Sequence, residues 1–535
     1  MFWEALPVDI LDIDRIEVVR TPSVVFFGSV AITGVIHIFT QQPQDGDLKV
    51  SFGSQAGTGA SNLQSDNRDL SMVQRGDVSF GIADKFRFRI SGNYHLFSRF
   101  QDEYFLLNEN RYASSDSLLF FKQNAFETNL NTKLARESLG LNAFVFYKHS
   151  ENIALSTQLS FQESDVQTVL MDDTLALANR KSRTSRININ AHVHGFHLNV
   201  SQSLSDRDYA AGYQGNNFRV SQTQVALNYA FNYKKLQILP GIGFFENQHT
   251  LLDRDNGLIP DNSRLVGYHA FTKVDAMILP KWRLMASIRG DVYEQTSSPY
   301  ISYQIGSSFK IKNQLIRASY TYNEGLPLVR RFRQSISHFI LPDINPNQIQ
   351  ATELGWNARI LSKINTSLEV FHSKTTFSQA ALSVLMPSSD ILATNQVSFS
   401  QIGASVKAQA WFNKIQVEGF ITLQRSGETF GDLQSDFLNN TAQFYGGVQL
   451  NYTGFLGKLN ANIQTYFYEQ YQFNTQYGEV IVPSRVLLNL MVSYEVWREN
   501  SVFINVRNLL NDNQREYAFG DDVSGMYLLG LKVNL

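Results

Sequence analysis

The chain has 535 residues, a formal net charge of −2, 18% charged and 13% aromatic residues, and no cysteine. That balance gives no bulk attraction to nucleic acid or an anionic surface, and the lack of cysteine excludes disulfides, thiolate metal sites and a cysteine nucleophile. No run reaches the roughly 18 continuous apolar residues of a membrane helix, whereas aromatics are plentiful and charge falls below the roughly 25% of soluble domains, as in a transmembrane barrel where one residue in two faces lipid.

In chain order, the opening MFWEALPVDILDID has no basic n-region, apolar h-region or small-residue cleavage site, so no secretory signal is read and a mature or internal start is expected. Two strand-like runs follow at residues 13–20 (IDRIEVVR) and 31–40 (AITGVIHIFT), with Thr21-Pro22 between them as a helix start that Gly28 ends. Ile32, Ile36 and Ile38 on one face and Val35 and Phe39 on the other make the second run apolar on both sides, so burial on both sides is expected, inside a container.

From Asp47 onward the pattern has a period of two. Trp282, Leu284, Ala286, Ile288 and Val292 alternate with Arg283, Ser287, Arg289 and Asp291; Val486, Leu488, Leu490, Val492, Tyr494 and Val496 alternate with Arg485, Asn489, Ser493 and Glu495. In a membrane the charged face must line a lumen. Tight turns are predicted at Asp84-Lys85, Arg136-Glu137, Gly195, Lys234, Pro280-Lys281, Lys312-Asn313, Ser362-Lys363, Asn413-Lys414, Leu456-Gly457 and Arg498-Glu499. Longer polar segments lie between them, at 101–117, 151–179, 253–262, 326–348, 378–395 and 511–522. Short connections on one rim and long ones on the other are the asymmetry of an outer-membrane barrel. The expectation is therefore an all-β fold, a transmembrane antiparallel β-barrel of about 22 strands. A lumen that wide holds a plug, so the domains are read as 1–46, the C-terminal part of a plug, and 47–535, the barrel. The last run, GMYLLGLKVNL, should point Tyr527, Leu529, Leu531, Val533 and Leu535 outward and close the sheet onto the first strand.

The stretch IDRIEVVRTPSVVFFGSVAITGVIHIFTQ, residues 13–41, resembles the plug signature of the TonB-dependent outer-membrane receptors, roughly I-E-R-I-E-V-x-R-G-P-x-x-x-x-Y-G followed by G-G-V-I-N-I-I-T-K. VRNLLNDNQREY (506–517) resembles the family's V-x-N-L-F-x-x-x-Y segment, and Asn345-Pro346-Asn347 with Glu353-Leu354-Gly355 resembles its N-P-x-L and E-x-G elements at compressed spacing. Departures are Thr21 for a glycine, Phe27 for the usual Tyr, Leu326-Pro327 for F-R-A-P, Gly403 to Lys407 (GASVK) for G-V-E-x-E, and Leu535 for a terminal aromatic. LPVDILDIDRIEVV looks like the middle of such a plug, which leads us to expect a truncated start.

The resemblance implies a gated receptor in the bacterial cell outer membrane, not an enzyme. It would import a scarce ligand of the iron-siderophore, haem, cobalamin or glycan class, with the periplasmic TonB complex pulling the plug. Other implied partners are a small-molecule or metal-chelate ligand and outer-membrane lipid with lipopolysaccharide; a monomer is expected and no nucleic acid. The alternative is a passive outer-membrane channel, or a non-functional truncated receptor, if the plug and TonB box are missing. Plug arginines meet barrel glutamates in the family, so Arg15, Glu17, Arg20 and Glu353 are candidate plug–barrel contacts. Candidate ligand contacts are Tyr104, Tyr112, Tyr209, Tyr213 and Phe339, with Arg330, Arg331 and Arg333 as an anion-attracting loop. His192 and His194 share a strand face at a spacing compatible with a metal, and His197 lies across the Gly195 turn; with no adjacent carboxylate they are read as hydrogen-bonding to the plug or water. No metal, cofactor or catalytic residue is assigned. Gly57-Thr58-Gly59 begins like a dinucleotide fingerprint but lacks the third glycine, and is read as a loop after the first strand.

Overall fold

The computed structural model describes residues 6–19, 34–43, 46, 48–60, 70–83, 85–101, 103–106, 111–113, 134–169, 177–211, 214–252, 262–294, 296, 298–325, 329–330, 338–339, 346–361, 363–378, 396–429, 441–454, 456–475, 478–517 and 520–535. Strand β1 (Ile13–Val19) pairs antiparallel with β2 (Val35–Thr40), setting Ile16 opposite Ile38 and Val18 opposite Ile36. The barrel begins with β3 (Lys49–Gly59), followed by β4 (Ser71–Ile82) and β5 (Phe86–Ser98). Among the described residues the closed sheet has 22 antiparallel staves, counting Gln214–Tyr229 and Phe231–Tyr233 as one stave broken at Ala230.

Closure comes from β3, which pairs with β4 on one side and with the last stave, Met526–Asn534, on the other, leaving no open edge. Gly57 sits at this seam, where a Cβ would lie 1.8 Å from the Tyr527 carbonyl oxygen, so only glycine allows the approach. Gly57-Thr58-Gly59 is therefore the end of the first stave, not the loop expected after it. The alternation holds as expected: Ile288 and Val292 are 50% and 52% exposed on the outer face, while Arg289 and Asp291 are 3% and 0% exposed on the inner one. Tyr527, Leu529 and Leu531 likewise alternate with the buried Met526, Leu528 and Gly530.

Two further expectations are corrected. Arg136 and Glu137 do not turn; they lie inside the stave Leu134–Ser150, and the chain reverses at Glu151-Asn152 instead. Residues 151–179 are accordingly not one loop but contain the stave Ile153–Val169 and the start of Leu177–Val193. The charges misled because on this side of the barrel the staves rise above their apolar band and carry ion pairs on the outside. Glu163, Arg183, Asp206 and Arg219 stand opposite one another in register across four staves. Glu163 meets Arg183 at 3.1 Å and Asp206 meets Arg219 at 2.6 Å. The second correction concerns β2, which is not buried on both faces: Ile36 is 46% exposed, and Ile16 and Val18 of its partner are 53% and 61% exposed. Each strand has one neighbour, and among the described residues no second layer covers the pair. The expected helix start at Thr21-Pro22, Gly28 and Ala31 to Thr33 lie outside the described residues.

The short connections are tight hairpins whose left-handed positions are filled by His194, Lys234, Lys312, Asn413 and Leu456 beside few glycines. Their common side is the turn side; the opposite rim is the loop side.

Candidate functional site

The segment preceding β1 reads Asp9-Ile10-Leu11-Asp12, and residues 10–12 form a single 3-10 turn. Residues three apart eclipse in such a turn, so both carboxylates come to one face. They also cap the turn reciprocally, Asp9 Oδ1 accepting from the Leu11 N–H at 3.1 Å and Asp12 Oδ2 from the Asp9 N–H at 3.2 Å. This face lies on the inner wall of the barrel. Arg75 Nε donates to Asp9 Oδ1 at 2.6 Å, and His95 Nε2 stands 3.0 Å from Asp9 Oδ2, at ion-pair distance but outside hydrogen-bond geometry. Asp12 Oδ1 accepts from Ser91 Oγ at 2.5 Å and Asp12 Oδ2 from Asn142 Nδ2 at 2.9 Å. Arg89 binds the Leu11 carbonyl at 2.6 Å, lies 3.5 Å from Asp12, and is held from behind by Asp77 at 3.2 Å.

The wall supplies these groups because of its period of two: Arg89, Ser91, Asn93 and His95 all face inward from β5, and register sets Asn142 opposite Ser91. Burial is nearly complete, with the Asp12, Arg89 and Asp9 side chains 0%, 4% and 5% exposed. For Asp9, burial opposes the charge, but His95, Arg75 and the Leu11 amide together hold its carboxyl below the usual carboxylate range. For Asp12, burial wins over Ser91, the Asp9 amide and Arg89, and its pKa is raised.

At this attachment the acids are on the N-terminal segment and the bases on the barrel. Arg15 and Glu17 face each other along β1, Arg15 Nε donating to Glu17 at 2.9 Å and its guanidinium lying 3.6 Å from the centre of the Phe39 ring. Glu353 lies in the stave Asn347–Ile360, and Arg20 lies outside the described residues. Asp9 and Asp12 were missed by sequence reasoning. A signal was present in the D-x-x-D spacing after Pro7, read together with the inward positions of Arg75, Arg89 and His95.

On the loop side, Arg485 opens its stave fully buried and organises the last long connection. It donates to the carbonyls of Gln514 at 2.9 Å, Asp512 at 2.5 Å and Val523 at 2.7 Å, and to Glu516 at 3.2 Å. Asn508, within the segment that resembles the family, adds bonds to the Asp512 and Val523 carbonyls at 3.0 and 3.1 Å. Arg99 clamps Asp521 through two bonds of 2.8 and 2.9 Å. Beside this hub the register pairs Tyr445 with Tyr468 and Tyr468 with Arg485 on the inner face. Tyr112, Tyr466, Tyr471 and Tyr517 pack around Tyr468 with Val480 and Val482, building an aromatic wall from staves and loops together.

Of the predicted ligand contacts, Tyr112 is in this wall. Its hydroxyl accepts the Asp522 N–H at 2.9 Å, and burial pushes its phenol pKa up. Tyr104 lies in Tyr104–Leu106, Tyr209 in Phe196–Ala211, Arg330 in Val329–Arg330 and Phe339 in His338–Phe339, described by backbone alone. Tyr213, Arg331 and Arg333 lie outside the described residues. His194 occupies the turn, and the residue facing His192 is His197.

A closed antiparallel barrel of 22 staves is a fold shared with TonB-dependent outer-membrane receptors. The chain is similar to the siderophore receptor PirA of Pseudomonas aeruginosa, at 12% identity over 98% of this chain and 87% of that one, with a TM-score of 0.67. It is also similar to the FrpB iron transporter of Neisseria meningitidis (F3-3 variant), at 13% identity over 98% and 88% of the two chains and a TM-score of 0.74. The alcaligin outer-membrane receptor FauA of Bordetella pertussis matches at 15% identity over 99% and 82%, with a TM-score of 0.65. At these identities the likeness is one of fold. No protein-family model and no curated protein sequence matches the chain.

Proposed function

We propose that this protein is a gated receptor of the bacterial outer membrane that imports a scarce metal chelate, with residues 1–46 acting as plug and 47–535 as barrel. The observation that carries this reading is the buried acidic turn held on the inner wall by Arg75, Arg89 and His95. A passive pore has no use for such an attachment, whereas a plug needs one that holds at rest and yields to force. Among the iron-siderophore, haem, cobalamin and glycan classes, the names of the similar structures favour an iron chelate. Capture would fall to the aromatic wall around Tyr468 on the loop side, where phenol rings offer both apolar faces and hydrogen-bonding rims. Release into the periplasm would follow when the TonB complex pulls the N-terminal segment off the wall.

The test is uptake of labelled iron, presented as a panel of ferric siderophores and haem, by iron-starved cells with and without the gene. Energy-dependent uptake of at least one chelate that disappears with the gene supports the reading. Unchanged uptake of every chelate, together with a large steady conductance of the purified protein in a planar bilayer, would replace it with the passive channel.

A further inference from the structure

At the turn side of the lumen lies a cavity of about 600 Å3, lined by barrel residues and, from the N-terminal segment, Gln42. The hairpin at His194-Gly195 fixes the register so that His192 and His197 stand directly opposite each other, both facing inward. Their imidazoles stack with centroids 4.4 Å apart and planes 4° from parallel. Their outer neighbours across the sheet are Ala154 and Asn228, which leave the rings room. The adjacent amides are engaged with one another, Asn199 donating to Asn190 at 2.6 Å and to Asn188 at 3.0 Å. Neither imidazole has a hydrogen bond or ion pair among the described residues, and both residues line the cavity with only each other's ring face against them.

We propose that His192 and His197 form an open binding site for a divalent first-row transition metal of the copper, nickel or zinc class. Cross-strand side chains at directly opposed positions are close enough for two imidazole nitrogens to reach one ion at about 2.0–2.1 Å. In the stack the lone pairs run side by side, so binding turns each ring about its Cβ–Cγ bond until one nitrogen from each converges. No third His, Cys, Asp or Glu joins them among the described residues, and water or the donor atoms of a chelator complete the shell. Imidazole ligation selects these metals over calcium and magnesium, with copper bound most tightly. The site stands on its own geometry, whether or not the barrel imports a chelate.

The experiment is a Cu2+ titration of the full chain, purified in detergent without a histidine tag and followed by electron paramagnetic resonance. One copper per chain with two equatorial nitrogens is expected. His192→Gln or His197→Gln should weaken binding by more than the roughly 10–100-fold that losing a ligand's supporting partner costs, and remove the two-nitrogen signature, while His194→Gln and His149→Gln leave both intact. Resistance of the barrel to unfolding in cold detergent, read by gel mobility, confirms that each variant is folded; the Gln substitutions keep a polar side chain in the cavity for that purpose. Absence of a two-nitrogen species in the parent protein, or its survival in the double variant, would overturn the site.

Discussion

Buried guanidinium groups hold two regions of the lumen, the middle of the wall and the loop-side rim, but with different partners. On the inner wall Arg75 and Arg89 meet the carboxylates of Asp9 and Asp12, two side chains on a single turn at the start of the chain. On the loop side Arg485 meets mainly backbone carbonyls, drawn from 512–523 of one connection. A carboxylate pair concentrates binding in a few groups that part together, and each leaves a strongly hydrated ion when it does. Carbonyls spread over a loop cannot leave together without unfolding it. The first arrangement suits an attachment meant to release; the second suits a permanent scaffold for the aromatic wall.

The largest break is expected at the scaffold. Arg485→Met removes four hydrogen bonds at about 1.5 kcal/mol or more each, roughly 6 kcal/mol in all. Residues 508–525 should become open to protease while the staves stay protected, as mass spectrometry of the fragments will show. Next comes the attachment: Asp12→Ala removes the acceptor of the buried Ser91 hydroxyl and Asn142 amide while Arg89 keeps Asp77, costing about 1–3 kcal/mol for each group left unsatisfied. Exchange of the amide hydrogens of β1 should accelerate and the barrel should conduct; Asp12→Asn, which keeps the shape and the Arg89 contact, should cost less than the alanine variant. An alanine variant that is indistinguishable from the parent in both readouts counts against a latch.

A smaller effect separates the two acids by pH. Asp9 has a lowered pKa, so its contribution is complete above the ordinary carboxylate value of 3.8 and is lost as pH falls below that value through the lower one it has when docked. Asp12 has a raised pKa and binds its proton more readily when docked, so its term favours attachment as pH falls towards 3.8 and opposes it at neutral pH. Protease protection of the N-terminal segment should therefore rise on mild acidification and fail on strong acidification. Asp12→Asn should abolish the rise and keep the failure. The smallest effect is on the outside: the Asp206–Arg219 pair is 40% and 45% exposed, and Asp206→Asn should change stability by less than about 1 kcal/mol, measured by heat-dependent gel mobility.

Much of this was legible from residue order. The stave ending at Trp497 begins at Arg485 as its alternation requires, and the closing strand pairs with the first stave as expected. The misplaced turn at Arg136-Glu137 shows where legibility stops. Adjacent charges mark a turn when a strand ends in water, but here they occupy opposite faces of a stave that continues above the apolar band, one inward and one outward. A local window does not contain the height of a residue above the membrane. The candidate attachment was harder still, because Asp9 and Arg75 are 66 positions apart and Asp12 and Asn142 are 130 apart.

Residue order by itself determined the strands, which face of each is polar, and that so many of them must close on themselves, because a period of two is written into every few residues and an open edge is not tolerated in hydrocarbon. Only the tertiary structure decided that acids on the leading segment meet bases on the wall, that His194 forms the turn instead of sharing a strand face with His192, and that Arg485 gathers a loop thirty residues on. Those pairings depend on stave register and on how the chain returns through the lumen, and both are properties of the closed sheet as a whole.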